Sequence, residues 1–406
     1  MLGPGLLWAG AAIGVSHIVQ STKAGADYGF ALIGIVILAN ILKYPFFEVG
    51  PRYATATGKT LLTGYKELGN WAFILYLILT FLTVFTIQAA VTLVTAGVIS
   101  WFFGGIASPV LISIILLIVC AVILAFGHYA LLDKMVKIII LLLTITTFIA
   151  LFAAAKHYSP ENLAMPAPEL LSKGGLLFIV ALIGWMPAPI DITVWSSIWT
   201  VEKRKEDPEA TTLRNALIDF KVGYIATIFI AIGFLTLGAL VMYGTGQHFS
   251  PKGAVFAGQF IDLYTATIGP WSKYLIAFAA LATMFSTTIT CIDAYGRVFS
   301  KSQSLIYKGS DEDESTYYYW IIVVIVGTIL LITGLSASMK LMVTIATTLS
   351  FITAPVLAIL NYKVITSKLT PVEAHPPLWI KVLSWTGIFF LLCFTILYVK
   401  VTYLNA

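Results

Sequence analysis

Apolar runs of about twenty residues, the length a helix needs to cross a bilayer, follow one another along almost the whole chain and are separated by short polar loops. They predict eleven spans, at 3–20, 28–48, 70–101, 108–127, 130–155, 174–200, 216–243, 270–298, 317–336, 338–362 and 378–400. The runs are long and continuous, which argues for helices against the weaker alternating pattern of a β-barrel. Two loops are longer, Lys156 to Lys173 and Tyr243 to Trp271, and have room for small surface helices.

Two of the runs are interrupted. The sixth contains Gly184-Trp185-Met186-Pro187-Ala188-Pro189-Ile190-Asp191. Its two prolines remove backbone donors and cannot both sit inside an unbroken helix. The freed carbonyls must then be satisfied by protein or face a polar cavity. In the first run Gly10, Gly14, Ser16, His17, Gln20 and Ser21 weaken the helix at about the same depth. With spans one to five (1–155) and six to ten (174–362) as inverted-topology repeats and an extra eleventh helix (378–400), the breaks in helices 1 and 6 meet near the bilayer midplane. That arrangement points to a carrier of an ion or solute.

Composition agrees: 59% of residues are hydrophobic and 11% charged, with a mean hydropathy of +0.94. A soluble domain is nearer 45–50% apolar and about 25% charged. The expectation is a single all-α, multi-pass membrane domain in a cell membrane, with the lipid bilayer as its constant partner. No cleavable signal peptide is visible, so the first span is expected to act as its own insertion signal. Cys120, Cys291 and Cys393 lie in apolar segments without metal or disulfide spacing.

Charge adds orientation. Lys and Arg gather in alternate loops (Arg52, Lys59, Lys66; Lys134, Lys137; Lys203, Arg204, Lys205, Arg214; Arg297, Lys301, Lys308; Lys363, Lys368). Those loops are expected to be cytoplasmic, with the N-terminus cytoplasmic and the C-terminus extracytoplasmic. The net charge of +5 sits mainly in these loops, so nucleic acid is not expected as a partner.

Several stretches carry a family resemblance: Gly3-Pro4, the Ala24-Gly25-Ala26-Asp27-Tyr28-Gly29-Phe30 turn, Met186-Pro187, and Ser286-Thr287-Thr288-Ile289-Thr290. Together they resemble the NRAMP (natural resistance-associated macrophage protein) transporters, divalent-metal carriers with the LeuT-type fold. The resemblance implies that fold over most of the chain. It also places the family's Asp-Pro-Gly-Asn on Gly14-Val15-Ser16-His17, so the metal-binding aspartate falls on Gly14 and its asparagine on His17. The family methionine is kept as Met186, while two family histidines fall on Ala188 and Thr193. Span three reads Gln88-Ala89-Ala90-Val91-Thr92 where the family carries acidic residues proposed to conduct protons.

The candidate substrate-binding residues are Gly14, His17, Gly184, Trp185, Met186, Asp191 and Thr347, with His17, Met186 and Asp191 as metal ligands. His17 is an ionisable, metal-competent group inside a membrane segment, or else a neutral ring donating to an unwound carbonyl. Met186 offers a thioether to a soft metal or fills space. The carbonyls of Gly184 and Trp185 are further candidates. Asp191 could replace the lost aspartate or cap the second half of the helix. Asp293 could line the inner pathway, with pairing to Arg297 one turn on as the favoured reading. Hydroxyls of span eight and of Thr344, Thr347 and Thr348 could face a cation or bond their own helix. Gln20, Lys23 and Asp27 read as a solvated vestibule or, more sharply, as a gate or an anion contact.

No nucleotide loop, nucleophile with its base, haem or zinc spacing is present, so neither an enzyme nor a cofactor is expected. Three functions remain open. One is a divalent-cation carrier with an atypical site and weakened or altered proton coupling. Another is a proton- or sodium-coupled carrier of a small organic solute such as an amino acid or organic cation. The last is a non-transporting sensor.

Overall fold

The computed structural model describes residues 3–105, 107–126, 129–156, 169–209, 211–307, 314–334 and 338–404. Among them every regular element is helical. The first span is split into α1 (Pro4–Ala12) and α2 (Thr22–Tyr28), joined by a π-helical turn over Ser16–Ser21. Next come α3 (Ile33–Thr57), the short α4 (Leu61–Leu68), α5 (Asn70–Phe102), α6 (Pro109–Ala125) and α7 (Tyr129–Lys156). The sixth span is split into α8 (Lys173–Trp185) and α9 (Ile192–Glu206), with residues 186–191 non-helical between them. The chain continues with α10 (Leu213–Val241), α11 (Gly253–Ile268), α12 (Lys273–Ile306), α13 (Glu314–Gly334), α14 (Met339–Ile365) and α15 (Leu378–Val399).

All eleven expected spans therefore have a helical counterpart, and the two expected to be broken are the two that are split. Among the described residues, seven helices, namely α3, α5, α10, α12, α13, α14 and α15, are each long and apolar enough to cross a membrane by themselves. The longer loops divide in outcome. α11 occupies the 243–271 stretch and buries Phe256, Phe260, Ile261 and Tyr264, whereas most of the 156–173 stretch lies outside the described residues. The eighth span runs on to Ile306, beyond the expected 298, and α4 was not anticipated.

Side-chain caps fix several starts. Ser108, Ser172, Thr212 and Ser338 each accept from the amide three residues on, satisfying a donor that has no partner within its helix. The start of α1 is held from elsewhere: Asp219 of α10 accepts from the amides of Gly5 (2.7 Å) and Gly3 (3.2 Å).

The broken first span is clamped along α10 by small residues. A Cβ on Gly25 would lie 1.8 Å from the Leu235 carbonyl oxygen, and one on Gly238 would lie 2.2 Å from that of Thr22. Such close backbone approach is how helices associate where no hydrophobic effect drives them together. Around this core, Phe389, Leu330 and Phe126 are exposed, as a lipid-facing surface requires.

Candidate functional site

The two breaks meet, and the backbone groups they free are bonded by named side chains. Ser16 Oγ lies 2.9 Å from the Ala12 carbonyl oxygen, 2.8 Å from His17 Nδ1 and 3.3 Å from the Pro187 carbonyl oxygen, groups that share its one proton, so the hydroxyl sits where the first break meets the second. Thr287 of α12 donates to the Ile13 carbonyl at 3.4 Å. Across the second break, Lys43 of α3 sends its ammonium to three carbonyl oxygens, those of Ile183 (3.0 Å), Gly184 (3.1 Å) and Ala188 (2.7 Å). Unpaired carbonyls at membrane depth cost several kcal/mol each. The irregular backbone is thus held by two hydroxyls and one lysine.

Between the breaks lies a cavity of about 30 Å³, lined by Ala12, Val15, Ser16, Ile87, Val91, Trp185, Pro189 and Thr287 among others. That is room for one water. Two larger cavities open toward opposite ends of the spans. One, of about 390 Å³, is lined by Gln20, Lys23 and Asp27 of the first span and by Gly174 and Ala181 of α8. The other, of about 500 Å³, is lined by Ile198, Glu202 and Lys205 of α9 and by Asp293 and Arg297 of α12. The centre is closed while both approaches are open.

His17 is wholly buried, with Nδ1 2.8 Å from Ser16 Oγ and Nε2 3.1 Å from the Thr227 carbonyl oxygen of α10. A carbonyl can only accept, so Nε2 carries a proton. Both ring nitrogens are engaged, and the ring faces α10. Asp191 is also buried, and its Oδ2 accepts from Tyr295 of α12 at 3.3 Å. Its Oδ1 has no hydrogen-bond partner, and the side chain makes no capping bond to α9. Asp191 thus stands at the junction of the two helices, with Tyr295 of α12 on one oxygen and the amides at the start of α9 beside it.

The remaining candidates divide. Met186 is fully buried at the break, with a cis peptide bond to Pro187. Trp185 donates its indole N–H to Ser350 Oγ at 2.8 Å. The Gly184 carbonyl is not free, because Lys43 occupies it. A Cβ on Gly184 would lie 2.2 Å from the Thr347 carbonyl oxygen, so these two residues do meet, backbone to backbone. The Thr347 hydroxyl turns back to Val343 O (2.7 Å) and Thr344 O (3.1 Å) of its own helix. A Cβ on Gly14 would lie 2.9 Å from the Thr287 side chain.

His17 and Asp191 face different helices, and among the described residues no three His, Cys, Asp or Glu side chains form a group able to hold a metal. Asp293 pairs with Arg297 as expected, at 2.9 Å, and also accepts from Tyr317. Gln88 and Thr95 of α5 bond to Thr288 of α12, packing the third span against the eighth.

Sequence reasoning missed Lys43, Tyr295 and the link from Ser16 to Pro187. Lys43 had a signal, a lysine deep inside the apolar run Ile33–Phe47, and a charge within a span is functional by default. Tyr295 and Ser16 had none, since their roles depend on which helix lies opposite.

Comparison with known proteins adds four findings. Residues 5–400 match the Nramp family, described as natural resistance-associated macrophage protein-like. An uncharacterized protein of Pasteurella multocida is 37% identical over 404 residues, 98% of this chain and 91% of that one. A divalent metal cation transporter, MntH, of Staphylococcus saprophyticus is 24% identical over 308 residues, 71% of this chain and 67% of its own. Among solved structures, a mutant of the Eremococcus coleocola manganese transporter superposes with a TM-score of 0.71 at 15% identity, covering 98% of this chain and 85% of that one. At such identity the likeness concerns the fold, and the fold is the LeuT-type arrangement expected from the sequence.

Proposed function

The chain belongs to the Nramp family, and from that premise we propose that this multi-pass membrane protein is a secondary transporter moving a divalent metal cation by alternating access. The single observation that carries the reading is Asp191 Oδ1, a carboxylate oxygen buried beside the meeting point of two broken helices and left without a hydrogen-bond partner, with the Lys43 ammonium acting on the carboxylate only through space. A desolvated carboxylate oxygen is unfavourable unless something positive comes to it. A divalent cation is the ligand such an oxygen suits best.

Asp191 supplies the anionic ligand, Met186 a thioether for a softer ion, and His17 an imidazole once its ring leaves Ser16 and Thr227. The ion enters from one of the two open cavities, is enclosed when the centre closes, and leaves by the other as the repeats 1–155 and 174–362 rock against each other. Proton coupling is weakened or altered, because Gln88 and Thr95 of the third span are tied into hydrogen bonds with α12. The N-terminus is cytoplasmic by the distribution of basic loops.

A second reading keeps the fold and changes the cargo to a small organic solute. The mostly apolar lining of the central cavity, with Ser16 and Thr287 as its hydroxyls, favours it. A thermal-shift panel on the detergent-solubilised protein separates the two, because a ligand of the folded state stabilises it by RT ln(1 + [L]/Kd). Mn²⁺ or Cd²⁺ is expected to give saturable stabilisation that is lost in Asp191→Asn. Stabilisation by amino acids or organic amines with indifference to metals would replace the metal reading by the second one.

A further inference from the structure

Lys43 is the one lysine that is fully buried among the described residues. Its Nζ lies 3.0, 3.1 and 2.7 Å from the carbonyl oxygens of Ile183, Gly184 and Ala188. Two of these acceptors end α8 and the third lies in the non-helical stretch 186–191 that follows it, while the lysine comes from a different helix, α3. Three carbonyls need three N–H donors. A neutral amine has two and the ammonium has three, so the geometry calls for the charged form. The face of Phe47 lies 5.6 Å from Nζ, a placement that also suits a cation.

A cluster of inward-pointing carbonyls at an unwound helix is what coordinates a small cation in a broken-helix carrier. Here the chain provides that cation itself. We propose that the Ile183, Gly184 and Ala188 carbonyls form a monovalent-cation site and that the Lys43 ammonium is its tethered occupant, in the place a dissolved co-ion would take. Because the charge is covalently attached, the broken helix stays organised without sodium or potassium from solution. The same tether links α3 to the end of α8 and to the non-helical stretch that follows it. This inference rests on the transporter reading only for its consequence, that uptake by the wild-type protein needs no dissolved monovalent co-ion at this place.

Lys43→Ala removes three methylenes and the nitrogen, and propylammonium restores those atoms from solution. The purified variant should unfold at a lower temperature than the wild type. Propylammonium chloride should raise that temperature saturably by a few degrees. Tetramethylammonium chloride, which has no N–H, and 1-propanol, which has no charge, should not, and the wild-type protein should ignore all three. Equal responses to propylammonium and the controls, or equal responses of variant and wild type, overturn the proposal.

Should Lys43→Ala not fold, ¹⁵N NMR of wild-type protein labelled at lysine Nζ asks the same question. One ammonium with exchange-protected protons supports the tethered occupant, and its absence overturns it. Neither arm contains a transported metal, so their failure leaves the transport reading standing. Absence of any metal response in the wild type touches only that reading.

Discussion

Asp191 and His17 differ in what is left over on their polar atoms. Asp191 keeps one oxygen without a partner, while both nitrogens of His17 are engaged. His17→Ala should therefore destabilise the protein whatever it transports, by about 2–4 kcal/mol from the lost ring packing and hydrogen bonds, read by thermal unfolding without metal. If the variant, kept below its lowered unfolding temperature, also loses its Mn²⁺ response, the ring serves as a ligand in another state of the cycle. An intact response assigns it to structure. Gly14 offers the reverse experiment. Placing aspartate at Gly14, where the resemblance implies the family's metal ligand, should strengthen Mn²⁺ binding, but its Cβ would press on Thr287 at 2.9 Å. Gly14→Asp alone is thus expected to be less stable than Gly14→Asp with Thr287→Ala, and the double variant to show the larger metal-induced shift.

The broken first span keeps its place because α10 holds it at several levels. Asp219 bonds the amides at the start of α1, Thr227 receives His17, and Gly238 lets the backbone of α2 come close. Gly25→Ala would place its Cβ 1.8 Å from the Leu235 carbonyl oxygen, and backbone cannot give way as a side-chain tip can. The expected cost is about 1–3 kcal/mol or more, seen as a lower unfolding temperature. Gly34→Ala, with nothing within 4 Å of the added Cβ in α3, should keep that temperature or raise it slightly, since alanine is the better helix former. The sixth span is held by α3 through Lys43 and by α14 through Trp185 with Ser350. Each broken helix therefore depends on intact neighbours for its hydrogen bonds.

Across the whole molecule, a closed centre of about 30 Å³ separates cavities of about 390 and 500 Å³. Alternating access predicts that these cavities change in opposite directions. Ala181→Cys in α8 and Ile198→Cys in α9 line one cavity each. The background needs Cys393→Ser, because Cys393 is exposed while Cys120 and Cys291 are buried. Maleimide labelling of one site should rise as the other falls when Mn²⁺ is added, and labelling that never changes would favour the non-transporting reading.

The sequence by itself determined the helical class, the number of spans and which two are broken, because hydropathy and proline act locally and bilayer thickness sets the scale. It also disclosed Asp293 with Arg297, since four residues along a helix is a fixed geometry. What it could not determine is which groups satisfy the breaks. Lys43 meets carbonyls 140 to 145 positions away in the chain, and Ser16 meets Pro187 171 positions away. Only the packing of α3, α10 and α12 against the split spans decided that His17 is engaged, that Asp191 keeps a free oxygen, and that a lysine fills the second break.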